Sequence, residues 1–505
     1  MLESPSREPE KKLLRHSPEP EALQLVPEAM ARRYTAIPLA VKGNALRVAI
    51  ANPTDVFALE AMATQSQMRI EPVIADAKEI QEAIDFNYKA YDEIEKQISY
   101  ISLPAEAVDE RMTFEAATDA PVVQALNLII SEAVKARASD IHLEPQEEKL
   151  RVRYRIDGTL HNTLSLPLAT GAPLISRIKI LASMNIADHH RPQDGQFSLK
   201  AKGRLIDVRV GTIDTIYGEM ATLRLLDKSM ATLALSELGF SPGSLAKYEN
   251  ILKVPYGMIL ISGPTGAGKT TTLYASVNCL DSIGRNIITI EDPVEYRFKD
   301  INQIQINPRA GLTFASGLRS IVRLDPDVIL VGEIRDIETA NIAIQAALTG
   351  HLVLSSIHAN DAVGIIFRLL DLGIEPFLVA SAVIGVVSQR MVRRVCSNCS
   401  RPVEVPLIER VPYSKEVGED RAEFVYGSGC KSCDNTGYFG RTAMFEILPM
   451  SDEIRMMLLN GAAATQIRTQ AIKEGMAPLL RDGMFKVKAD MTTPSEVLRN
   501  AYSVD

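Results

Sequence analysis

At 505 residues, with 46% hydrophobic and 23% charged side chains, the chain has an ordinary soluble composition and length for three or more domains. A net charge of -8 removes any general electrostatic attraction to nucleic acid, and no apolar segment follows basic residues at the N-terminus to suggest a secretory signal. The most apolar stretch, Pro376 to Ser388, is too short to span a bilayer and is flanked by Arg390, Arg393 and Arg394, so membrane attachment is expected only through a partner.

Residues 1 to 20 are charged and carry Pro5, Pro9, Pro18 and Pro20, which predicts a disordered tail. From Leu25 to Tyr88 the pattern is α/β. Ala36 to Val41 and Leu46 to Ile50 predict strands around the turn Lys42-Gly43-Asn44, and Asp55 stands where a helix from Val56 to Gln65 would be capped. This module reads as a partner-docking domain or as a passive spacer. The charged stretch from Tyr91 to Arg111 predicts a largely helical linker.

A second α/β unit runs from Phe114 to Leu226. It opens with an amphipathic helix, Pro121 to Ala136, whose Val122, Leu126, Ile129, Ile130 and Val134 recur at helical spacing. After Ala138-Ser139-Asp140-Ile141-His142-Leu143-Glu144-Pro145, alternating strands are expected at Leu150–Ile156, Leu205–Val210 and Ala221–Leu226. Arg151, Arg153 and Arg155 share one strand face, which reads as solvated. Arg209 and Arg224 each stand near the end of a largely apolar strand, where either could be aimed at a neighbouring site.

After a connection from Ala231 to Ser241, the third unit contains Gly263-Pro264-Thr265-Gly266-Ala267-Gly268-Lys269-Thr270, preceded by the apolar run Met258–Ile261 and followed by the helix-like run Thr271–Ser276. This is the phosphate-binding pattern G-x-x-x-x-G-K-[ST] between a strand and a helix. Glycines let successive N–H groups converge on anionic oxygens, and the helix N-terminus adds unpaired donors. Lys269 is expected to reach the β- and γ-phosphates of ATP, and the Thr270 hydroxyl to ligate Mg²⁺. Further strands are expected at Asn286–Ile290, Val328–Val331 and Leu352–Ile357, making a parallel sheet with ligands beyond its carboxyl ends. Glu295, Glu333 and His358 all fall at or just past such an end. Glu333 suits a Walker-B-like role toward Mg²⁺, and Glu295, on a loop, suits orientation of the attacking water. His351 and His358 read as sensors of the γ-phosphate or as packing residues. Arg319 and Arg323 lie four apart on the helical run Ala315–Leu324, hence on one face, to stabilise transferring phosphoryl oxygens or to face solvent.

Cys396-Ser397-Asn398-Cys399 and Cys430-Lys431-Ser432-Cys433 form two CxxC knuckles. Four thiolates so paired suit tetrahedral Zn²⁺ in a closed structural site rather than a redox pair. Cys279 is expected to be a small buried hydrophobe, and the chain from Met444 to Tyr502 to be helical.

Taken together, Ser139–Pro145, Arg191-Pro192-Gln193-Asp194-Gly195, Gly263–Thr270, Ile290-Glu291-Asp292-Pro293-Val294-Glu295, Leu324–Asp336 and Thr349–His358 resemble the ATPase family of type II secretion and type IV pilus assembly. The four-cysteine insertion places the resemblance in the assembly or secretion branch rather than the retraction branch. It implies an α/β multidomain chain: a small N-terminal docking domain (21–92), a linker (93–112), a PAS-like α+β domain (113–228), a second linker (229–240), and a RecA-type P-loop ATPase domain (241–505) carrying a zinc insertion (396–443). It implies nucleotide between the last two domains, cradled by Gly263 to Thr271, with Glu295 as base and Glu333 as the Walker-B glutamate. Arg209, Arg224, Arg319 and Arg323 match arginines associated with phosphate contacts, and His351 and His358 match the His box. It further implies a homo-hexamer at the cytoplasmic face of the inner membrane, held there by a platform protein and a membrane-anchored docking partner, without nucleic acid and without direct membrane insertion. The Arg-Leu-Gly-led repeat through which some relatives bind a cyclic dinucleotide is not visible in residues 25–88, so that ligand is not expected. Two other classes are weaker. A nucleotide-binding scaffold without turnover has no need of Lys269, Thr270, Glu295 and Glu333 together, and a nucleic-acid motor needs an aromatic and basic surface.

Overall fold

The computed structural model describes residues 18–81, 83, 84, 88, 121–201, 203–227, 233–280 and 283–501; the expected tail before residue 18 and the linker at 91–111 lie outside the described residues. The chain divides into two units, one drawn from Met1–Asp227 and Ser428–Gly437, the other from Lys228–Gly427 and Tyr438–Asp505.

In the first unit, β1 (Ala36–Lys42) and β2 (Ala45–Ile50) form the expected antiparallel hairpin, and Gly43 takes the left-handed turn conformation at φ +58°. Asp55 accepts the Ala58 N–H at 3.1 Å and caps the helix Val56–Ser66, which returns the chain to β3 (Arg69–Ile74), parallel to β2. Leu46, Val48 and Ile50 of β2 alternate into a core with Ile37 and Met62.

A larger antiparallel sheet follows in the order β6-β5-β4-β9-β8-β7, with β4 Ala138–Pro145, β5 Lys149–Ile156, β6 Thr159–Pro167, β7 Gln193–Ala201, β8 Arg204–Thr215 and β9 Gly218–Asp227. The helix Pro121–Lys135 buries Leu126, Ile129 and Ile130 against Ile141, Leu143 and Val152, and the Tyr154 hydroxyl donates to the Ile129 carbonyl at 2.7 Å. The helix Gly171–Leu181 adds Leu174, Ile175 and Ile178 to the same core. Strands β6 and β7 and this second helix are not legible in the sequence pattern. β7 is an edge strand whose side chains alternate between half-buried and exposed; only its second half, with Phe197, Leu199 and Ala201, alternates apolar with polar, while Gln193 to Gln196 give no apolar signal.

The opposite face of this sheet departs from the solvated face expected for its arginines. Arg151 and Arg153 grip the two oxygens of Glu144 at 2.7 and 2.5 Å, and Arg155 lies 3.6 Å from Asp140. Burial opposes the Glu144 charge, but the two guanidinium groups outweigh it and hold the carboxyl below its usual range. Cross-strand register explains the pairing, because Glu144 stands opposite Arg151 and Asp140 opposite Arg155.

In the second unit a seven-stranded sheet runs β12-β11-β13-β14-β10-β15-β18. Its strands are β10 Gly257–Ser262, β11 Ile287–Glu291, β12 Asn302–Gln305, β13 Val328–Val331, β14 Leu352–Ile357, β15 Val383–Val395 and β18 Tyr438–Pro449. All are parallel except β18, so the expected parallel sheet is a mixed one with an antiparallel edge. Met258 and Leu260 enter one core with Ile288, Ile290, Ile329 and Val331, while Ile259 and Ile261 enter another with Ile287, Val328, Leu330 and Leu354. The sheet is therefore covered on both sides, which is why its strands read as continuous apolar runs.

Three further expectations are corrected. Residues 444–449 extend β18, and the helices begin only at Asp452, continuing as Asp452–Leu459, Ala464–Lys473, Leu479–Lys488 and Pro494–Ala501. Cys279 is exposed, as is Asn278 before it, at the C-terminal end of the helix Lys269–Asn278. The helix carrying Arg319 ends at Ile321, so Arg323 lies on the turn that follows it rather than on the helix. Asp325, at φ +49° and before Pro326, cannot continue a right-handed helix. Among the described residues no helix is long and apolar enough to cross a membrane.

Glu446 of β18 joins the sheet to the C-terminal helices. Its side chain is 2% exposed; one oxygen accepts the Ala362 N–H at 2.8 Å and the other the Leu479 N–H at 3.2 Å, at the starts of the helices Ala362–Asp371 and Leu479–Lys488. Burial raises its carboxyl above the usual range, against the pull of those two donors and of Arg468. Glu446→Ala strips both N–H groups of their acceptor and is expected to cost about 2–4 kcal/mol, with Glu446→Gln milder; thermal and urea unfolding measure both.

Candidate nucleotide site and four-cysteine cluster

β10 is followed by residues 263–268 and then by the helix Lys269–Asn278, the strand–loop–helix order that the phosphate pattern requires. Gly268 stands at φ +86° as the residue before the helix, and Gly263 at φ +153°. A Cβ on Gly263 would meet the Gln389 carbonyl oxygen at 2.3 Å and the Ala267 methyl at 2.9 Å, so only glycine fits between loop and neighbouring strand. The Lys269 ammonium folds back onto the Gly263 and Pro264 carbonyls at 2.7 and 3.2 Å. Burial lowers its pKa, and the nearby Glu333 charge acts the other way, which puts these two side chains in one electrostatic environment. A cavity of about 280 Å³ opens beside the loop, lined by Gly263, Pro264, His358, Ala359, Asn360 and Arg368.

Glu333 follows β13 and is bracketed by Arg335, which contacts one carboxylate oxygen, and His358 after β14, at 3.7 Å from the other. The Ser356 hydroxyl donates to the Gly332 carbonyl at 2.8 Å and the Ile334 N–H to the Ser356 carbonyl at 2.9 Å, so the two strand ends are tied together around Glu333. His351 stands at the other end of β14, before Leu352. Its Nδ1 donates to the Ala346 carbonyl at 2.8 Å, closing the turn after the helix Ile337–Leu348. That separates it from His358, which follows the opposite end of the same strand.

Glu295 lies on the loop after β11, and its N–H donates to the Tyr274 hydroxyl at 3.1 Å. Tyr274 belongs to the phosphate loop's own helix and also contacts the carboxylate of Glu291, the last residue of β11. Glu291 further accepts from Thr289 Oγ1 at 2.6 Å and Gln303 Nε2 at 3.2 Å, and Gln303 also donates to the Tyr296 carbonyl at 2.9 Å. Burial and the adjacent Glu291 raise the Tyr274 phenol well above its ordinary pKa, so it stays protonated and donates. Tyr274, Gln303 and Gln389 carry no motif role in the sequence reading, and Glu291 enters it only as a member of the acidic stretch that ends at Glu295. The signal for Gln389 is a polar break, Ser388-Gln389-Arg390, directly after the apolar run Val383–Val387.

The remaining candidate arginines are placed as follows. Arg319 pairs with Glu338 on the next helix. In the first unit, Arg209 and Arg224 are directly opposite each other on β8 and β9, inside these strands rather than near their ends. Arg224 is offset by Asp140 at 3.0 Å. Cys396 and Cys399 lie between β15 and β16 (Ser400–Glu404), while Cys430 and Cys433 sit between β17 (Glu423–Gly427) and β18, and the four Sγ atoms lie within 4.8 Å of one another. Zinc–sulfur bonds of about 2.3 Å require tetrahedral sulfur separations of about 3.8 Å. The Cys430–Cys433 separation is 3.7 Å, so the donor set fits such an ion.

Residues 115–499 match the family described as "Type II/IV secretion system protein", and residues 9–93 match the "MshEN domain". The type IV pilus assembly ATPase PilB of Myxococcus xanthus is 41% identical over 496 residues, covering 95% of this chain and 87% of that protein. The type II secretion system protein HxcR of Pseudomonas aeruginosa is 47% identical over 380 residues, covering 75% and 77%. Among solved structures, the pilus retraction motor PilT with bound ADP superposes at TM-score 0.51 and 25% identity, covering 75% of this chain and 97% of that one.

Tyr274→Phe removes the hydroxyl that accepts the Glu295 N–H and donates to Glu291. The expected loss is about 1–3 kcal/mol of stability, read by thermal unfolding.

Proposed function

We propose a function from one premise, that this chain belongs to the type II/IV secretion system protein family: it is a motor ATPase whose turnover of ATP drives type IV pilus assembly or type II protein secretion. The observation that carries the reading is the phosphate loop at the carboxyl edge of the seven-stranded sheet, with the Lys269 ammonium in the field of Glu333. In this reading the backbone N–H groups of residues 264–270 hold the triphosphate, Lys269 takes the β- and γ-oxygens, and Thr271 borders the phosphates. Thr270 and Glu333 would hold Mg²⁺, which supplies charge neutralisation at the transferring phosphoryl group when bound. Glu295 orients the attacking water and takes its proton, held in place through Tyr274. His358, beside Glu333, closes the site, whereas His351 braces the far end of the same strand.

Arg319, Arg323, Arg209 and Arg224 supply positive charge toward phosphate within an assembled homo-hexamer, from the same or a neighbouring subunit. The motor works at the cytoplasmic side of the inner membrane, through a platform protein and a docking partner that engages the N-terminal domain. Cys396, Cys399, Cys430 and Cys433 hold one structural Zn²⁺, with no ligand position left for chemistry.

Purified protein is expected to release phosphate from ATP. Lys269→Ala and Glu333→Ala should abolish that release, and Glu295→Gln should slow it by about a hundredfold or more; wild-type turnover in the first two variants defeats the reading. For the metal, elemental analysis should find one zinc per chain, and Cys399→Ser or a strong chelator should remove it and lower the melting temperature. A metal-free chain of unchanged melting temperature would rule zinc out.

A further inference from the structure

β15 pairs with β10 so that Ser388 stands opposite Ser262, which puts Gln389 opposite the start of the phosphate loop. Its side chain belongs to a residue only 1% exposed, and both ends of the amide are used. Nε2 donates to the Ala267 carbonyl at 2.6 Å, and Oε1 accepts from the Thr272 hydroxyl at 2.8 Å. One neutral amide thus staples the loop to the first turn of the helix behind it. Glutamine suits this place because one bond needs a donor and the other an acceptor. The loop also rests on this residue's backbone, since the Gly263 position has no room for a side chain against the Gln389 carbonyl.

A trans peptide points its C=O and the following N–H in opposite directions. Holding the Ala267 carbonyl toward β15 therefore turns the Gly268 N–H away from β15 and into the loop. Without that tether the Ala267–Gly268 peptide is free to rotate, because the glycine beside it has access to both signs of φ. We infer that Gln389 is a positioning residue for nucleotide phosphates, setting the direction of a loop N–H without touching the ligand itself. The inference rests on the ATPase reading above and adds to it a residue on a strand that no phosphate motif includes.

The effect belongs to binding, so affinity should change more than the chemical step. In the full-length protein, Gln389→Leu keeps the volume and removes both bonds, Gln389→Glu keeps the acceptor and removes the donor, and Thr272→Val does the reverse. Dissociation constants for MgADP from titration calorimetry, KM and kcat for MgATP, and melting temperatures with and without nucleotide separate the roles. Both Gln389 variants should weaken MgADP about tenfold and raise KM more than they lower kcat, with nucleotide-free melting close to wild type; Thr272→Val should weaken MgADP less than threefold. Wild-type affinity in folded Gln389→Leu and Gln389→Glu overturns the inference, as does failure of both to fold, which would make Gln389 a packing residue. A wild-type chain that binds no MgADP would instead sink the ATPase reading, so the two failures are told apart.

Discussion

Because β11, β13, β14 and β10 are parallel, hydrogen-bonded neighbours, the segments that leave their carboxyl ends must emerge along one edge of the sheet. That edge collects the phosphate loop, the acidic loop with Glu295, the turn with Glu333 and the segment with His358. The geometry is imposed by the ladder and by apolar side chains buried on both faces, which leave the strands no freedom to slip. Chemistry at the site is thus positioned by residues that take no part in it.

Polar groups beneath that edge do a second kind of positioning. Glu291 is 4% exposed, and its carboxylate draws Tyr274, Thr289 and Gln303 together. A buried carboxylate is costly unless it is well supplied with donors. Here its three donors come from the phosphate loop's helix, from β11 and from β12, so satisfying the charge also fixes the acidic loop against the helix. Glu446 follows the same logic on β18, where its two acceptors are matched to the starts of two helices. Each helix start exposes N–H groups that need a partner, and a single carboxylate serves both.

The first unit uses its charges differently. On the face of the six-stranded sheet away from its helices, Glu144 and Asp140 stand in cross-strand register with Arg151 and Arg155 of β5, and Arg153 reaches Glu144 from the position between them. Arg209 and Arg224, like charges directly opposite one another, are tolerated with Asp140 beside Arg224. The acidic residues of the Ser139–Pro145 stretch are in this sense the electrostatic counterpart of the arginine-rich strands.

Elements whose signal is local can be read along the chain. The phosphate loop needs glycines at set spacing, the β1–β2 hairpin needs Gly43 at its turn, the helix at Val56 needs Asp55 before it, and two CxxC knuckles need only their own spacing to suggest four sulfurs for one ion. Apolar runs located β10, β11, β13 and β14 because both of their faces are buried. Elements with an ambiguous signal escaped: only the second half of β7 alternates apolar with polar, and the last half of β18 is a near-continuous buried run whose periodicity does not separate strand from helix. The end of the Phe314–Ile321 helix was overrun because the residues after it still read as helical until Pro326. The roles of Gln389, Tyr274, Glu291 and Glu446 come from the folded arrangement alone. Apart from Thr289, two residues from Glu291, their partners lie 12 to 122 residues away, as from Glu291 to Gln303 and from Gln389 to Ala267. No periodicity along a chain records which distant polar group will meet which; that is set when sheet register brings them within hydrogen-bonding reach.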